Sequence, residues 1–260
     1  INEMNKRASA IALQQGNAAE ACLKQAALGK TASLGNPPQT QTAQACLSND
    51  VAGKVAKQVI VLGQAETARC LALPAQMPDF AYSGSAVTAA VAKGASIDLT
   101  ADLFGPNLDA AVVPAATDKD GASCQQQVQL RANAVFDQMW TVALKKKRDA
   151  LKGTSTTPQV TDSVALQLAI LGYVDADPRG FVGRTKGQLA QRAGAYCAAV
   201  SSRLATLFPG DCAGSTSASG LATCATEVAR CRFCTSINAI DGFYANCDVF
   251  DDGLADTSCP

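Results

Sequence analysis

The chain has 260 residues, with 22 basic and 22 acidic side chains, eleven cysteines and no histidine. Balanced charge leaves no long-range field to attract nucleic acid, and the missing imidazole excludes Ser-His-Asp and Cys-His catalysis, histidine-ligated haem and most catalytic zinc sites. The sequence carries no catalytic or cofactor motif, so we predict a protein that is not an enzyme and needs no cofactor.

The cysteine content predicts the compartment. The cytosol keeps thiols reduced, so persistent pairing of many cysteines implies the periplasm or the cell exterior. The chain starts at Ile1 without a basic segment followed by an apolar one, as expected after removal of a signal peptide, although trimming would look the same. No run approaches the roughly 18 apolar residues of a membrane helix. We predict an extracellular or cell-surface protein without a transmembrane segment, with the periplasm as the alternative.

Helical periodicity begins at the N-terminus. Apolar residues recur at helical spacing over Asn2–Gly29, and Gly16 with Asn17 interrupts the pattern. Asn17 followed by Glu20 fits a capping signal, so we predict two helices in tandem, followed by a loop over Thr31–Thr40.

A second helical block is predicted over Gln41–Leu73, ended by Pro74. Ser48 or Asp50 offers a cap for a restart within it. Its apolar stripe consists of Val51, Val55, Val59 and Leu62.

Residues 75–122 contain several prolines, and only short helices are predicted there, such as Ala86–Val91 and Ser96–Phe104. Asp98 and Asp102 lie four residues apart and could face one cleft as paired carboxylates, the arrangement that glycosidases use. A polar helix face explains this pair equally well.

A long helix is predicted over Ser123–Lys152 and ends at Gly153. Its apolar face consists of Cys124, Val128, Ala132, Val135, Met139 and Val142. The basic run Lys145–Arg148 lies in the last turns, where the helix dipole favours cations, and no aromatic residues interleave it. We therefore predict no nucleic-acid partner.

Two further helices follow a linker at residues 154–158. The first is predicted over Thr161–Leu171, capped by Thr161 or Asp162 and ended by Gly172. The second is predicted over Gly183–Phe208.

Six cysteines crowd the tail that follows Pro209. A helix over Ser219–Ile240 would place Cys224 and Cys231 two turns apart on one face, with Cys234 nearby, ready to bond cysteines in the flanking loops. The Cys231-x-x-Cys234 spacing also occurs in redox and zinc sites. A position inside a helix and the lack of a second close pair favour structural disulfides instead.

An acidic cluster near the C-terminus is a weak candidate for a calcium site. Its carboxylates are Asp248, Asp251, Asp252 and Asp256. The spacing does not match an EF-hand, because Val249 and Phe250 interrupt it and no glutamate follows Gly253. A solvated acidic loop is the alternative.

The cysteine count is odd, so at least one thiol is free, modified or bonded to another chain. The candidates for disulfide bonding are Cys22, Cys46, Cys70, Cys124, Cys197, Cys212, Cys224, Cys231, Cys234, Cys247 and Cys259. A bond between identical subunits and a buried free thiol are the two hypotheses for the odd cysteine.

Three segments carry a resemblance to a protein group: Asp102–Ala111, the helix from Cys124 to Gly153, and the ending from Cys231 to Pro260. They resemble uncharacterised cysteine-rich, histidine-poor exported proteins of deltaproteobacterial type. The resemblance implies export and disulfides, and it transfers no catalytic residue.

Together these patterns predict an all-α protein, an antiparallel helical bundle-like fold with a disulfide-crosslinked C-terminal helical region. We expect an N-terminal region (1–122), a central long-helix region (123–208) and a cysteine-rich cap (209–260), or one domain containing all three. With only 17% charged residues and an odd cysteine, the first functional hypothesis is a self-associating subunit of an extracellular filament, sheath or surface layer. The alternative is a binding module for a small ligand, calcium or an envelope protein, with the acidic tail as its site.

Overall fold

A computed structural model describes residues 2–30, 41–72, 79–153 and 158–259, and within them every regular element is helical. The all-α prediction is therefore confirmed. The Thr31–Thr40 loop, the stop at Pro74 and most of the 154–158 linker lie outside these ranges. The helices are α1 (Asn2–Ala27), α2 (Ala43–Ser48), α3 (Lys54–Glu66), α4 (Gly84–Phe104), α5 (Leu108–Ala111), α6 (Lys119–Lys152), α7 (Ser163–Ala176), α8 (Phe181–Cys197), α9 (Leu204–Leu207), α10 (Ala218–Asp241) and α11 (Cys247–Asp252).

The N-terminal helix α1 is continuous, so the prediction of two helices in tandem is wrong. Gly16 lies on its buried face, where the Asn133 side chain of α6 donates a hydrogen bond of 3.3 Å to the Gly16 carbonyl. A helical glycine costs about 1 kcal/mol. Packing of this face against α6 and the hydrogen bond from Asn133 help to offset that cost.

The second block divides near the predicted restart. Helix α2 ends at Ser48, and the Asp50 carboxylate accepts a hydrogen bond of 2.6 Å from the backbone of Ala56 in the first turn of α3. Of the predicted stripe, Val55 and Leu62 are buried, whereas Val59 is exposed. A π-helical turn, Thr67–Leu71, extends α3.

Helix α4 corrects the prediction of short helices at residues 75–122, because Ala86–Val91 and Ser96–Phe104 belong to one helix of 21 residues. It packs against both α1 and α10, and its buried residues, which recur every three or four positions from Thr88 to Phe104, cover one broad face of the helix. The Ser96 hydroxyl donates a hydrogen bond of 2.9 Å to the carbonyl of Ala12, which holds α4 close to α1.

The long helix α6 lies at the centre of the fold and packs against α1, α7, α8 and α10. Its predicted apolar face is buried throughout. The helix begins four residues earlier than predicted, at Lys119, because the Asp118 side chain accepts a hydrogen bond of 3.0 Å from the amide of Gly121.

The next two helices differ from prediction at their ends. Helix α7 has Asp162 as its cap, as predicted, but it continues through Gly172 to Ala176. The segment predicted as one helix to Phe208 is interrupted after α8 by a 3₁₀ turn, in which Val200 has the non-helical angles φ −113° and ψ 17°. Apolar periodicity shows neither the later end of α7 nor the 3₁₀ turn after α8. Across that turn the buried side chains keep helical spacing.

Buried apolar residues of all three predicted regions belong to one large cluster, and four cysteines form a second, smaller one: Cys231, Cys234, Cys247 and Cys259. At the centre of the large cluster, the Trp140 ring of α6 packs edge-on against Phe233 of α10 at 6.2 Å between centroids, and at the same distance from Phe136. The core therefore joins the predicted C-terminal cap directly to the long central helix.

Ten cysteines form five disulfides: Cys22–Cys46, Cys124–Cys197, Cys212–Cys224, Cys231–Cys259 and Cys234–Cys247. The odd cysteine is Cys70, which is free and buried. Multiple disulfides are typical of proteins that fold outside the reducing cytoplasm. In the described part of the chain, no helix combines the length and apolarity that crossing a bilayer requires.

Candidate functional site

Two disulfides fix the C-terminal segment to α10. Cys231 bonds to Cys259 and Cys234 bonds to Cys247, with 5.5 Å between the Cα atoms in each case. The Cys231-x-x-Cys234 pair is therefore not bonded internally, and it lies within α10 rather than at a helix start. These bonds place α11 and the acidic tail along the side of α10.

An open cleft of about 1160 Å³ lies over α10, between α7 and α8 on one side and α11 on the other. Small residues on α8 and α10 leave room for it: Gly187, Ala190, Gly194, Ser219, Ala222 and Thr223. Ligand pockets commonly occupy about 300–1,000 Å³. The cleft is therefore large enough to take a small organic molecule.

Arg230 forms one end of the cleft and is already satisfied. Its guanidinium donates a hydrogen bond of 2.6 Å to the Asp175 carboxylate and others to the carbonyl of Phe250. It also lies over the Phe250 ring, 4.7 Å from the centroid. This cation therefore joins α7, α10 and α11 and is not available for a ligand.

Lys186 on α8 and Glu227 on α10 face the same cleft and are half-buried. Within the described residues, neither side chain has a hydrogen bond or an ion pair, although their opposite charges attract each other. Burial lowers the pKa of Lys186, and the nearby Arg230 lowers it further. Burial also raises the pKa of Glu227, and Asp252, Asp251 and Asp256 add to that shift.

The acidic tail supplies part of this cleft wall through Asp251 and Asp252. Most of its carboxylate oxygens bind the chain itself: Asp248 and Asp251 accept hydrogen bonds from Ser258, and Asp252 accepts one of 2.7 Å from the amide of Leu254. Asp256 accepts one of 3.1 Å from the amide of Ser258. No group of three or more metal-binding side chains among the described residues is arranged to hold a metal ion.

The predicted carboxylate pair lies elsewhere, on α4. Asp102 binds the guanidinium of Arg232 through both oxygens, whereas Asp98 has only electrostatic interactions with these two residues. Partial burial raises the pKa of Asp98, Arg232 opposes the shift and Asp102 adds to it. Since Asp102 is committed to an ion pair that joins α4 to α10, the pair lacks a free second carboxylate.

The basic run at the end of α6 is divided among separate contacts. Lys145 pairs with Asp149 at 2.8 Å, Lys146 lies over the Tyr173 ring, and Lys147 is buried. These side chains point to different surroundings and do not form one basic surface.

A second carboxylate pair, which the sequence analysis missed, joins α1 and α6. Asn133 donates a hydrogen bond of 2.9 Å to Glu20. Burial raises the pKa of Asp137 to about 7, and the negative charge of Glu20 contributes. Neither carboxylate of this pair lines the cleft over α10.

The cleft residues Asp175, Lys186, Glu227 and Arg230 were also missed. They lie on three helices and form no local motif, so no spacing signal could have found them. Neither a family model, a curated protein nor a solved structure matches the chain.

Proposed function

We propose that this is an exported protein that binds a small organic ligand in the cleft between α8, α10 and α11. The observation that carries the proposal is that Lys186 and Glu227 face one cleft, half-buried, without a partner among the described residues. Desolvated charges are costly unless they are paired, and binding sites accept this cost because the ligand supplies the partner.

The walls of the cleft also support binding. The disulfides Cys231–Cys259 and Cys234–Cys247 hold α11 against α10, and Arg230 connects both helices to α7. Walls that need no ordering when the ligand arrives lower the entropic cost of association. The disulfides support a location outside the reducing cytoplasm, and export to the cell exterior is part of this proposal.

The test fills the cleft. Gly194 has no atom within 4 Å of the position that a Cβ would take, so Gly194→Phe should project into open cleft space without disturbing the core. The matched control is Gly63→Phe, because Gly63 is also helical and has equally open surroundings on α3. A panel of small anions, cations, zwitterions and neutral molecules is titrated into each protein and followed by two-dimensional NMR.

We expect at least one class of compound in the panel to shift the amide signals of Gly187, Ala190 and Thr223 in the wild type and in the control Gly63→Phe. The same compounds should not shift these signals in Gly194→Phe. If no compound perturbs these signals, or if Gly194→Phe responds like the control, the proposed function is wrong.

A self-associating structural subunit of a filament, sheath or surface layer is the second candidate. Exposed apolar side chains favour it: Val164 and Leu168 on α7 are each 67% exposed, and the backbone amide of the exposed Tyr244 donates a hydrogen bond to Gln167 on the same helix. Burial of Cys70 leaves no exposed free thiol for a bond between subunits in the described chain, so association would depend on these apolar side chains. Sedimentation velocity at increasing concentration tests it: Leu168→Lys should abolish association, and a wild type that stays monomeric would exclude this candidate.

A further inference from the structure

The two charges of the cleft restrict the ligand that it can take. Six charged side chains line it: Asp175, Lys186, Glu227, Arg230, Asp251 and Asp252. Arg230 and Asp175 neutralise each other at 2.6 Å. Among the described residues, the cleft charges without an ion pair are therefore one cation on the α8 wall and carboxylates on α10 and α11.

The negative side does not suit a metal ion. Asp251 uses both oxygens, accepting from the amide of Asp252 and from the hydroxyl of Ser258, and Asp252 accepts from the amide of Leu254. The unpartnered carboxylate is that of Glu227 alone, and one side chain cannot provide the several oxygens that calcium requires. An ammonium group can be bound by fewer oxygens than a calcium ion, because each of its N–H groups donates a hydrogen bond to a single oxygen.

The positive side does not suit a simple amine. Lys186 and its neighbour Arg230 would both repel an added cation on this side, against the attraction of the nearby carboxylates Asp175, Asp177 and Glu227. An anion alone would instead be repelled by Glu227 and by the two aspartates of α11. A ligand with both charges avoids each repulsion, since its carboxylate can approach Lys186 while its ammonium approaches Glu227.

We propose that the cleft binds a zwitterion of the amino-acid type, with its ammonium group on Glu227 and its carboxylate on Lys186. This inference rests on the proposed function and names its ligand class. The apolar side chains of Ala190, Ala222 and Val249 line the same cleft and would contact the hydrocarbon part of such a ligand. The ligand would form two charge-assisted hydrogen bonds, one with Lys186 and one with Glu227.

The probes are matched in size and differ in charge: γ-aminobutyrate, butylamine and butyrate, with glycine and β-alanine as shorter zwitterions. Binding is followed by the NMR shifts of the cleft amides at low ionic strength. We expect the best zwitterion to bind about 5- to 10-fold more tightly than either singly charged analogue, since each half-buried pair adds a modest gain. Added salt should weaken that preference.

Two substitutions separate the roles of the two side chains. In Glu227→Gln, γ-aminobutyrate should bind no better than butyrate, and in Lys186→Met it should bind no better than butylamine. Asp120→Asn and Lys119→Met, exposed residues in the first turn of α6, are the charge-matched controls and should keep the wild-type preference. Unchanged thermal unfolding of each variant shows that the fold is retained.

Failure of this inference differs from failure of the proposed function. If neutral or singly charged compounds bind in the cleft as tightly as the zwitterions, or if the preference survives both substitutions, the assignment of ligand class is wrong while the binding site stands. If no compound of any class shifts the cleft amides, both are wrong.

Discussion

Lys147 of α6 donates a hydrogen bond of 2.6 Å to Asp241 of α10, and both side chains are enclosed in the core. Asn5 of α1 donates a further hydrogen bond of 3.1 Å to the same carboxylate, so three helices meet at one buried anion. Burial lowers the pKa of Lys147, and the attraction of Asp241 opposes that shift. A buried charge of this kind depends on its partner far more than an exposed one does.

Removing the cation from this pair should therefore be costly. Lys147→Met leaves the Asp241 charge without its main partner, and we expect the free energy of unfolding to fall by about 3–5 kcal/mol. The control is Lys145→Met on the same helix, since Lys145 pairs with Asp149 at the surface and its loss should cost less than about 1 kcal/mol. Urea denaturation measures both; equal losses would contradict the structural role of Lys147.

Thiol chemistry provides the second prediction. The native protein should show no reactive thiol towards a maleimide, and one thiol, Cys70, should react after denaturation, because the Cys70 side chain is 1% exposed. Peptide mapping without reduction should recover the five intramolecular disulfides. Several reactive thiols in the native protein, or a bond joining two chains through Cys70, would contradict this arrangement.

The third prediction concerns the disulfide that holds the cleft wall. Cys234–Cys247 and Cys212–Cys224 close loops of almost equal length, with sequence separations of 13 and 12 residues. Replacing either pair by serines should cost about 2–4 kcal/mol, since the entropy gained by the unfolded chain is similar.

Only the loss of Cys234–Cys247 should loosen α11, because this bond attaches its first residue to α10. Hydrogen exchange of the α11 amides is the measurement, with the variant lacking Cys212–Cys224 as the matched control. Equal acceleration of α11 exchange in both variants would show that the disulfide does not position the wall.

The fourth prediction concerns pH. Asp137 has a pKa of about 7 in the folded protein against 3.8 as its ordinary value, because it is partly buried and near Glu20. Between these two pKa values the folded state retains a proton that the unfolded state has released, so the contribution of Asp137 to stability should fall as the pH rises from about 4 to about 7.

Asp137→Asn should remove this dependence, and the variant should be more stable than the wild type above about pH 7 by on the order of 2–4 kcal/mol, with little difference near pH 4. Asp149→Asn on the same helix is the control with the opposite sign. The hydrogen bond from Lys145 lowers the pKa of Asp149, so Asp149 contributes to stability above its ordinary pKa and loses that contribution in acid. Thermal melts across the pH range test both predictions. Parallel curves of stability against pH for the wild type and Asp137→Asn would show that the pKa of Asp137 is not raised in the folded protein.

Sequence patterns were most accurate where one face of a helix is buried. Helix α10 was predicted to within one residue at each end, and the face of α6 that begins at Cys124 is buried as expected. In α4 the periodic signal is weak, because apolar residues such as Val87 also lie on the exposed face of the helix. The sequence predicts an interruption at Gly16 and a helix end at Gly172, because helix propensity is a local property. Packing along α1 and α7 outweighs that propensity, and both helices continue through these glycines.

Composition and periodicity alone determined the all-α class and the crosslinking by cysteines. They also determined that α10 carries several of the bonded cysteines. These properties depend on residue type and on neighbours along the chain. Only the tertiary structure decided which cysteines pair, that Cys70 stays buried and free, and that Lys186 and Glu227 face one cleft. The physical reason is distance along the chain: residues far apart in sequence become neighbours through helix packing, which leaves no local pattern in the order of the residues.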